Sequence, residues 1–290
     1  MFQSLKKILK KPLEKRSIGY MKIQARVAWE KFGAVPPIFT RVEIETVNWC
    51  NGICPFCPVN VNADTRKKIK MKEELFLKII SELKNLHFQG SFSLYSNNEP
   101  FLDERFERFS KIAREALPNA HISVFTNGTV LSPERFCNVI PYLDQMCIDN
   151  YNDKLELIKP VAIINEYIKN HREIREKVII ARRKINEVLS TRGGKSPNNL
   201  KRQILDTSCL LPWNQLVIRP DGNVSLCCND ALGENTLGNV ADEAIMDVWH
   251  SQEYAVYRKK LAMEGRKAID TCRYCDFCLH EFMRAPVVQN

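Results

Sequence analysis

From Arg41 onward, short runs rich in β-branched and aromatic residues alternate with amphipathic stretches of helical period. That alternation admits few folds, because strands joined by helix-length crossovers run parallel and need helices to cover them. The strand candidates are Arg41 to Val47, Ser91 to Tyr95, His121 to Phe125, Gln145 to Asp149 and Val178 to Ala181. The helical candidates are Lys72 to Leu86, Asp103 to Ala116, Ser132 to Pro141 and Lys159 to Glu173. The fold class is α/β, and five such strands suit a partial (β/α) barrel. Arg192-Gly193-Gly194 and the polar stretch Lys195 to Asn199 then break the pattern. Beyond them, Gln215 to Arg219, a turn at Asp221-Gly222 and Val224 to Cys228 read as a β-hairpin. Helices follow at Glu243 to Trp249 and Glu253 to Glu264, then a cysteine-dense closing loop, Cys272 to Cys278. Three regions result: a basic helical extension over 1–40, the barrel over 41–200, and a small hairpin-and-helix domain over 201–290.

The chain has 290 residues, eleven of them cysteine. No apolar run reaches the roughly 20 residues that span a bilayer, and the Lys-rich start lacks the apolar core of a secretory signal. Those features place the protein in the cytoplasm, where disulfides are rare and clustered thiols serve metal, cluster or redox chemistry. The net charge of +9 permits nucleic acid, anionic lipid or phosphorylated partners without choosing among them. Lys6, Lys7, Lys10, Lys11, Lys15 and Arg16 interleave with Phe2, Leu5, Ile8 and Leu9. Such a helix either touches a membrane surface weakly or packs on its own domain with a solvated basic face.

Cys50, Cys54 and Cys57 directly follow the first strand, on a loop at the end where barrel enzymes place their chemistry. Three thiolates hold three irons of a cubane and leave the fourth open to bind another molecule. The alternative, structural zinc, wants a fourth ligand, and none lies beside the triplet in sequence. The pattern Cys50-Asn-Gly-Ile-Cys54-Pro-Phe56-Cys57 resembles the CxxxCxxC signature of the radical S-adenosylmethionine (SAM) superfamily. Asn97-Asn98-Glu99-Pro100 resembles that family's Gly-Gly-Glu-Pro motif, with both glycines replaced. The resemblance implies a 4Fe–4S cluster and SAM-binding roles for Phe56, Asn98, Glu99, Thr126, Asn127 and Asn150. Glu99 would accept from the SAM ammonium, and Asn150 would meet the ribose. Thr126-Asn127-Gly128 is, taken alone, also an ordinary turn signal.

Cys209, Cys227, Cys272 and Cys275 supply four thiolates, enough for a closed cubane or a zinc ribbon. Cys209-Leu-Leu-Pro-Trp, the Asp221-Gly222 hairpin, Asp247-Val248-Trp249 and the final C-x-x-C resemble the SPASM/twitch auxiliary domain, which implies a second 4Fe–4S cluster. The likeness is strongest to members that dehydrogenate a cyclitol alcohol. By it, Arg192 in Ser190-Thr191-Arg192-Gly193-Gly194 contacts substrate; without it, Arg192 reads as a solvated surface residue. Cys228-Asn229 and Asn97 depart from those members, so a different substrate is expected. Cys228 and Cys278 are spare thiols, whereas Cys137 and Cys147 read as core residues.

The expected activity is oxidation of a secondary alcohol in a sugar, cyclitol or nucleotide sugar. The second cluster accepts an electron, and an external one-electron reductant such as flavodoxin or ferredoxin primes the first. Alternatives are a radical epimerase with Cys228 or Cys278 as hydrogen donor, a ribosomal-peptide-modifying enzyme, and a zinc-binding nucleic-acid module.

Overall fold

The computed structural model describes residues 13–200 and 203–277, with side chains from residue 22 onward. The N-terminal basic residues and Cys278 lie outside the described residues or side chains. The chain runs α1 (Leu13–Phe32), β1 (Arg41–Ile44), α2 (Glu73–Asn85), β2 (Ser91–Ser93), α3 (Phe106–Ala116), β3 (His121–Thr126), α4 (Pro133–Val139), β4 (Gln145–Tyr151), α5 (Lys159–Lys169), α6 (Arg172–Arg175) and β5 (Val178–Arg183). It continues with α7 (Leu211–Asn214), β6 (Gln215–Ile218), β7 (Asn223–Ser225), β8 (Thr236–Asn239), α8 (Ile245–Trp249), α9 (Gln252–Met263) and α10 (Asp270–Arg273).

All eight strands form one sheet in the order β5-β4-β3-β2-β1-β6-β7-β8. The first five are parallel neighbours, as the alternation predicts. Successive strand residues point to opposite faces. Val42 and Ile44 of β1, Phe92 of β2, and Ile122 and Val124 of β3 therefore meet the helices. There they pack with Phe76 and Ile79 of α2, Phe109 of α3 and Val161 of α5. Phe76 and Phe109 stack at 4.0 Å, tying α2 to α3. The opposite face carries Glu43, Ser93, Ser123 and Gln215, so the sheet's inner surface is polar. Helix starts follow local chemistry: the Ser132 hydroxyl accepts from Arg135 N–H, with Pro133 in the first turn of α4.

The structure alters four sequence expectations. The hairpin does not stand apart, since β6 pairs in parallel with β1 from Arg41↔Gln215 to Ile44↔Ile218 and extends the barrel sheet. The N-terminal segment packs on the C-terminal half: Ala25 N–H donates to Ser208 Oγ, Trp249 Nε1–H donates to Pro37 O, and Phe39 meets Trp249 edge-on at 5.3 Å. The helix expected over Lys159 to Glu173 splits at Asn170-His171 into α5 and α6. The closing loop begins with a helical turn, α10, and β8 carries no sequence signal strong enough to be found. Among the described residues, no helix is long and apolar enough to cross a membrane.

Gly222 makes the hairpin turn at φ +87°, and a Cβ there would lie 2.4 Å from Asn239 Oδ1. That oxygen accepts from Ala241 N–H at 2.7 Å and is not free to retreat. Gly222→Ala should lower stability by roughly 1–3 kcal/mol, read as a lower urea midpoint at unchanged slope. An unchanged midpoint would show that the turn relaxes.

Candidate active site

β1 delivers the chain to the cysteine loop, and polar clamps set that loop's shape. Asn48 donates to Lys67 O at 3.0 Å and accepts from Ile69 N–H at 2.7 Å, pinning the start of the loop to the segment that covers it. Asn60 donates to Cys54 O and Cys57 O and accepts from Asn62 and Ala63 N–H. Arg66, held by Asp64, reaches Asn48 O at 3.0 Å and Ala231 O at 3.4 Å. Gly52 sits among the thiols: a Cβ there would lie 3.3 Å from Cys50 Sγ and 3.7 Å from Cys54 Sγ. Its N–H donates to Cys50 Sγ at 3.2 Å. Burial pushes the Cys50 and Cys54 thiols up to about 12, with neighbouring carboxylates and thiols adding to the shift. Thiolates at Cys50 and Cys54 are therefore favoured by a positively charged partner, which iron would supply.

Glu99 is 1% exposed and accepts three hydrogen bonds. Thr126 Oγ1 donates to it at 2.7 Å, Asn127 N–H at 2.8 Å and Phe101 N–H at 3.1 Å. Burial raises its pKa to about 7 against those hydrogen bonds, which favour the charge. Asn127 Nδ2 also reaches Asn51 Oδ1 at 2.9 Å and Cys50 Sγ at 3.7 Å, so the Thr126-Asn127 turn joins Glu99 to the cysteine loop. Asn98 accepts from Ser96 N–H, but its Nδ2 is buried without a partner, as is Thr46 Oγ1. Such orphaned groups beside a charged carboxyl suit a polar ligand. Phe56 is buried against Tyr151, rings 5.5 Å apart. Asn150 differs from expectation. It is fully buried, its Nδ2 donates to Glu156 O and its Oδ1 accepts from Ile158 N–H, so it clamps the loop after β4 where a ribose contact is expected.

The second cysteine group assembles from three segments. Cys227, Cys272 and Cys275 are buried and Cys209 is half-buried. Burial first, then the charges of Cys228, Cys272, Cys209 and Cys275, push the Cys227 thiol well up, which reflects how closely these residues gather. Arg266, also buried, donates to Thr207 O, Cys275 O and Phe277 O and brings a positive charge to this group. Thr191 fastens the preceding segment here, donating its N–H to Asp276 Oδ1 at 2.8 Å and its hydroxyl to Tyr274 O at 2.7 Å. Gly193 lies so close to Thr271 and to Asn229 O that a Cβ would come within 2.9 Å of each.

Arg192 is thereby held at φ +47°, a conformation unusual for a side-chain-bearing residue. Its Nη1 donates to Asn97 Oδ1 at 3.2 Å, and Asn97 Nδ2 donates to Cys228 O at 2.9 Å. Cys228 N–H donates to Gln215 Oε1, whose amide in turn donates to Glu43 Oε1 at 2.6 Å. Burial and then Glu43 push the Cys228 thiol up to about 12, so it stays protonated at neutral pH. Across the sheet, Arg183 donates to Asp149 at 2.8 Å, and Asp149 is near enough to Cys54 to raise its pKa. Arg192, Asn97 and Cys228 thus meet between the two cysteine groups, with Glu43, Asp149 and Arg183 on the adjoining walls. Sequence reasoning missed Glu43, Asn60, Asp149, Arg183, Gln215 and Arg266. Only Glu43 left a signal, as a charge flanked by Val42 and Ile44 in a strand.

Among the described residues, no three His, Cys, Asp or Glu side chains are disposed to hold a single metal ion. Three thiols in one loop and four gathered from three segments are the donor numbers that iron–sulfur clusters take, with an open and a closed iron set respectively.

A model of the radical SAM superfamily matches residues 44–189, and one of SPASM, an iron–sulfur cluster-binding domain, matches residues 209–276. The chain is 28% identical over 240 residues to the S-adenosyl-L-methionine-dependent 2-deoxy-scyllo-inosamine dehydrogenase of Niallia circulans, covering 82% of this chain and 93% of that protein. It is similar to the crystal structure of BtrN in complex with AdoMet and 2-DOIA, with 25% identity, a TM-score of 0.71, and 84% of this chain and 95% of that one covered. Hexahistidine-tagged anSMEcpe with bound AdoMet shares the fold at 15% identity and a TM-score of 0.56, covering 82% and 85% respectively.

The Glu99 shift has a measurable sign. Its folded pKa of about 7 exceeds the ordinary 4.5, so its contribution to stability is complete below pH 4.5 and is lost as pH rises through 7. Between pH 5 and 8 the ligand-free protein should lose roughly 3 kcal/mol from this group. Glu99→Gln turns an amide N–H against Asn127 N–H and lowers stability at acid pH, but it should flatten that slope. An equally steep slope in the variant would assign the effect to another group.

Proposed function

The chain belongs to the radical SAM superfamily, and from that premise we propose that it oxidises a secondary alcohol of a sugar, cyclitol or nucleotide-linked sugar to a ketone. Membership brings a 4Fe–4S cluster and SAM, and the SPASM region brings a further cluster. The observation that carries the reading is the junction of Arg192, Asn97 and Cys228 between the two cysteine groups. When bound, the cofactors supply a 5′-deoxyadenosyl radical that takes hydrogen from carbon and a second centre that accepts an electron.

The protein's own residues do the rest. Cys50, Cys54 and Cys57 hold the first cluster with one iron open, and Glu99, aided by Thr126 and Asn127, receives the SAM ammonium. Asn98, through its unpartnered amide, and Phe56 complete the SAM cradle. Cys209, Cys227, Cys272 and Cys275 close around the second cluster. Arg192 binds substrate oxygens, and Asn97 sets its direction. The similarity to the inosamine dehydrogenase supports the substrate class; Cys228 beside Asn97 argues for a substrate distinct from that relative's own. An external one-electron donor would prime the first cluster, and the electron taken up by the second would return to the first or leave to an external one-electron acceptor.

A second reading rests on Cys228. A buried thiol that stays protonated can return a hydrogen atom to a substrate radical, giving epimerisation without net oxidation, and the thiyl radical left behind would take one electron from the external donor and one proton from water. Solvent deuterium separates the two: ketone formed with an equal amount of 5′-deoxyadenosine and no deuterium supports the dehydrogenase. A product at the substrate's oxidation level with deuterium on carbon, abolished by Cys228→Ala, supports the epimerase instead.

Anaerobic reconstitution should load about eight irons and yield 5′-deoxyadenosine from SAM under reductant. Arg192→Ala should leave that uncoupled SAM cleavage intact while lowering kcat/KM for the organic substrate roughly 10- to 100-fold, as loss of a charge-assisted contact requires. Equal loss of both activities would place Arg192 in the SAM site or the fold.

A further inference from the structure

The cysteine loop has an inner and an outer side. Inward, Cys50 faces Asn127 and Cys54 senses Asp149, so this side belongs to cofactor and substrate. Outward, the following segment lies against the loop, with Val61 N–H donating to Gly52 O at 3.0 Å. Ile53 is 55% exposed and Val61 51%, so the loop and the segment against it each set a large apolar side chain in water. A small surface cavity of about 80 Å³, walled partly by Trp49, Val61 and Lys68, reaches Cys50 from this side.

The charge around this apolar centre is one-sided. Of the basic residues between 66 and 70, Arg66 is spent on Asp64, and Lys70 on Glu104 and Asp103. Lys67 and Lys68 are exposed and have no acidic partner among the described residues. The Lys68 ammonium stands 5.9 Å from the Trp49 ring centroid. A small apolar centre rimmed by unpaired cations is the anatomy of a transient protein interface, and it steers an acidic partner towards itself. Two lysines are too few to hold a nucleic acid, whose binding needs many phosphate contacts.

We propose that this outer face is the docking surface for a small acidic one-electron donor protein carrying a reduced flavin or iron–sulfur group. The inference rests on the assignment of Cys50, Cys54 and Cys57 to the SAM-binding cluster. One electron leaves the donor, which is oxidised by one equivalent, and enters the oxidised cluster, which is reduced by one; no bond forms or breaks and no proton moves. Electron tunnelling favours the shortest approach, and here the donor stands over Cys50 while the barrel mouth stays open to substrate.

The test uses the reconstituted full-length enzyme and an acidic flavodoxin. Its Kd is measured by calorimetry, and 5′-deoxyadenosine formation is driven in parallel by reduced flavodoxin or by dithionite. Lys67→Glu with Lys68→Glu should raise the flavodoxin Kd at least tenfold and slow flavodoxin-driven cleavage to match, with dithionite-driven cleavage unchanged. Val61→Asp should act in the same direction. Lys111→Glu with Lys259→Glu, equal in charge but far along the chain, should shift Kd less than twofold. The proposal is overturned if the Lys67/Lys68 pair leaves Kd unchanged, or if the distant pair weakens binding equally. Failure of dithionite to cleave SAM in the unsubstituted protein would instead refute the cluster assignment, and Kd reports on the docking face in either case.

Discussion

The arrangement depends on β1, where residues of opposite character alternate. Val42 and Ile44 face the helices and are fully buried in the apolar core; Glu43 and Glu45 face the inner surface and are equally buried. A carboxylate left unpaired in such a place is strongly destabilising, of the order of 3–5 kcal/mol. Burial pushes the pKa of both upward, towards the neutral acid, and each keeps a polar partner on one oxygen. Glu43 accepts from Gln215 on β6, and Glu45 accepts from Asn97 N–H while Arg219 stands 3.5 Å away. These contacts tie the central strand to the auxiliary region on one side and to the Glu99 loop on the other. The core fixes the strand, and the strand fixes the walls of the site.

The two cysteine groups consequently belong to one framework. The shared sheet sets the separation of their loops, and three polar bridges cross the remaining gap: Asn97 to Cys228 O, Arg192 to Asn97, and Arg66 to Ala231 O. The segment bearing Arg192 is anchored at Thr191 to the C-terminal cysteine loop, so Arg192 is fixed to the same loop that carries Cys272 and Cys275. On the proposed reading, a substrate bound at Arg192 would lie between the centre that starts the radical and the one that decides its fate. This arrangement also shields the reacting carbon, which matters for a radical that attacks almost any C–H bond.

Local signals in the sequence disclosed the parallel strands, the cysteine spacings and Glu99, because each is written in adjacent residues. The pairing of β6 with β1 was not legible, since the two strands are about 170 residues apart and parallel pairing leaves no turn signal between them. The inner-wall residues were obscure for a related reason. Asp149 and Arg183 become partners only when β4 and β5 align, and Gln215 meets Glu43 only across that distant pairing. The loop-closing bonds of Asn150 to Glu156 O and Ile158 N–H were likewise hidden, because a polar residue at a strand end does not disclose which backbone groups it will meet.

The central claim is that the triplet holds a cluster open to SAM while the other four cysteines hold a closed one. Electron paramagnetic resonance of the reduced protein, with and without SAM, tests it most directly when Cys50, Cys54 and Cys57 are all replaced by alanine. The unsubstituted protein should show two cluster signals, of which one shifts on adding SAM, and the triple variant should keep only the signal that SAM leaves unmoved. A SAM-responsive signal surviving in the triple variant would contradict the account.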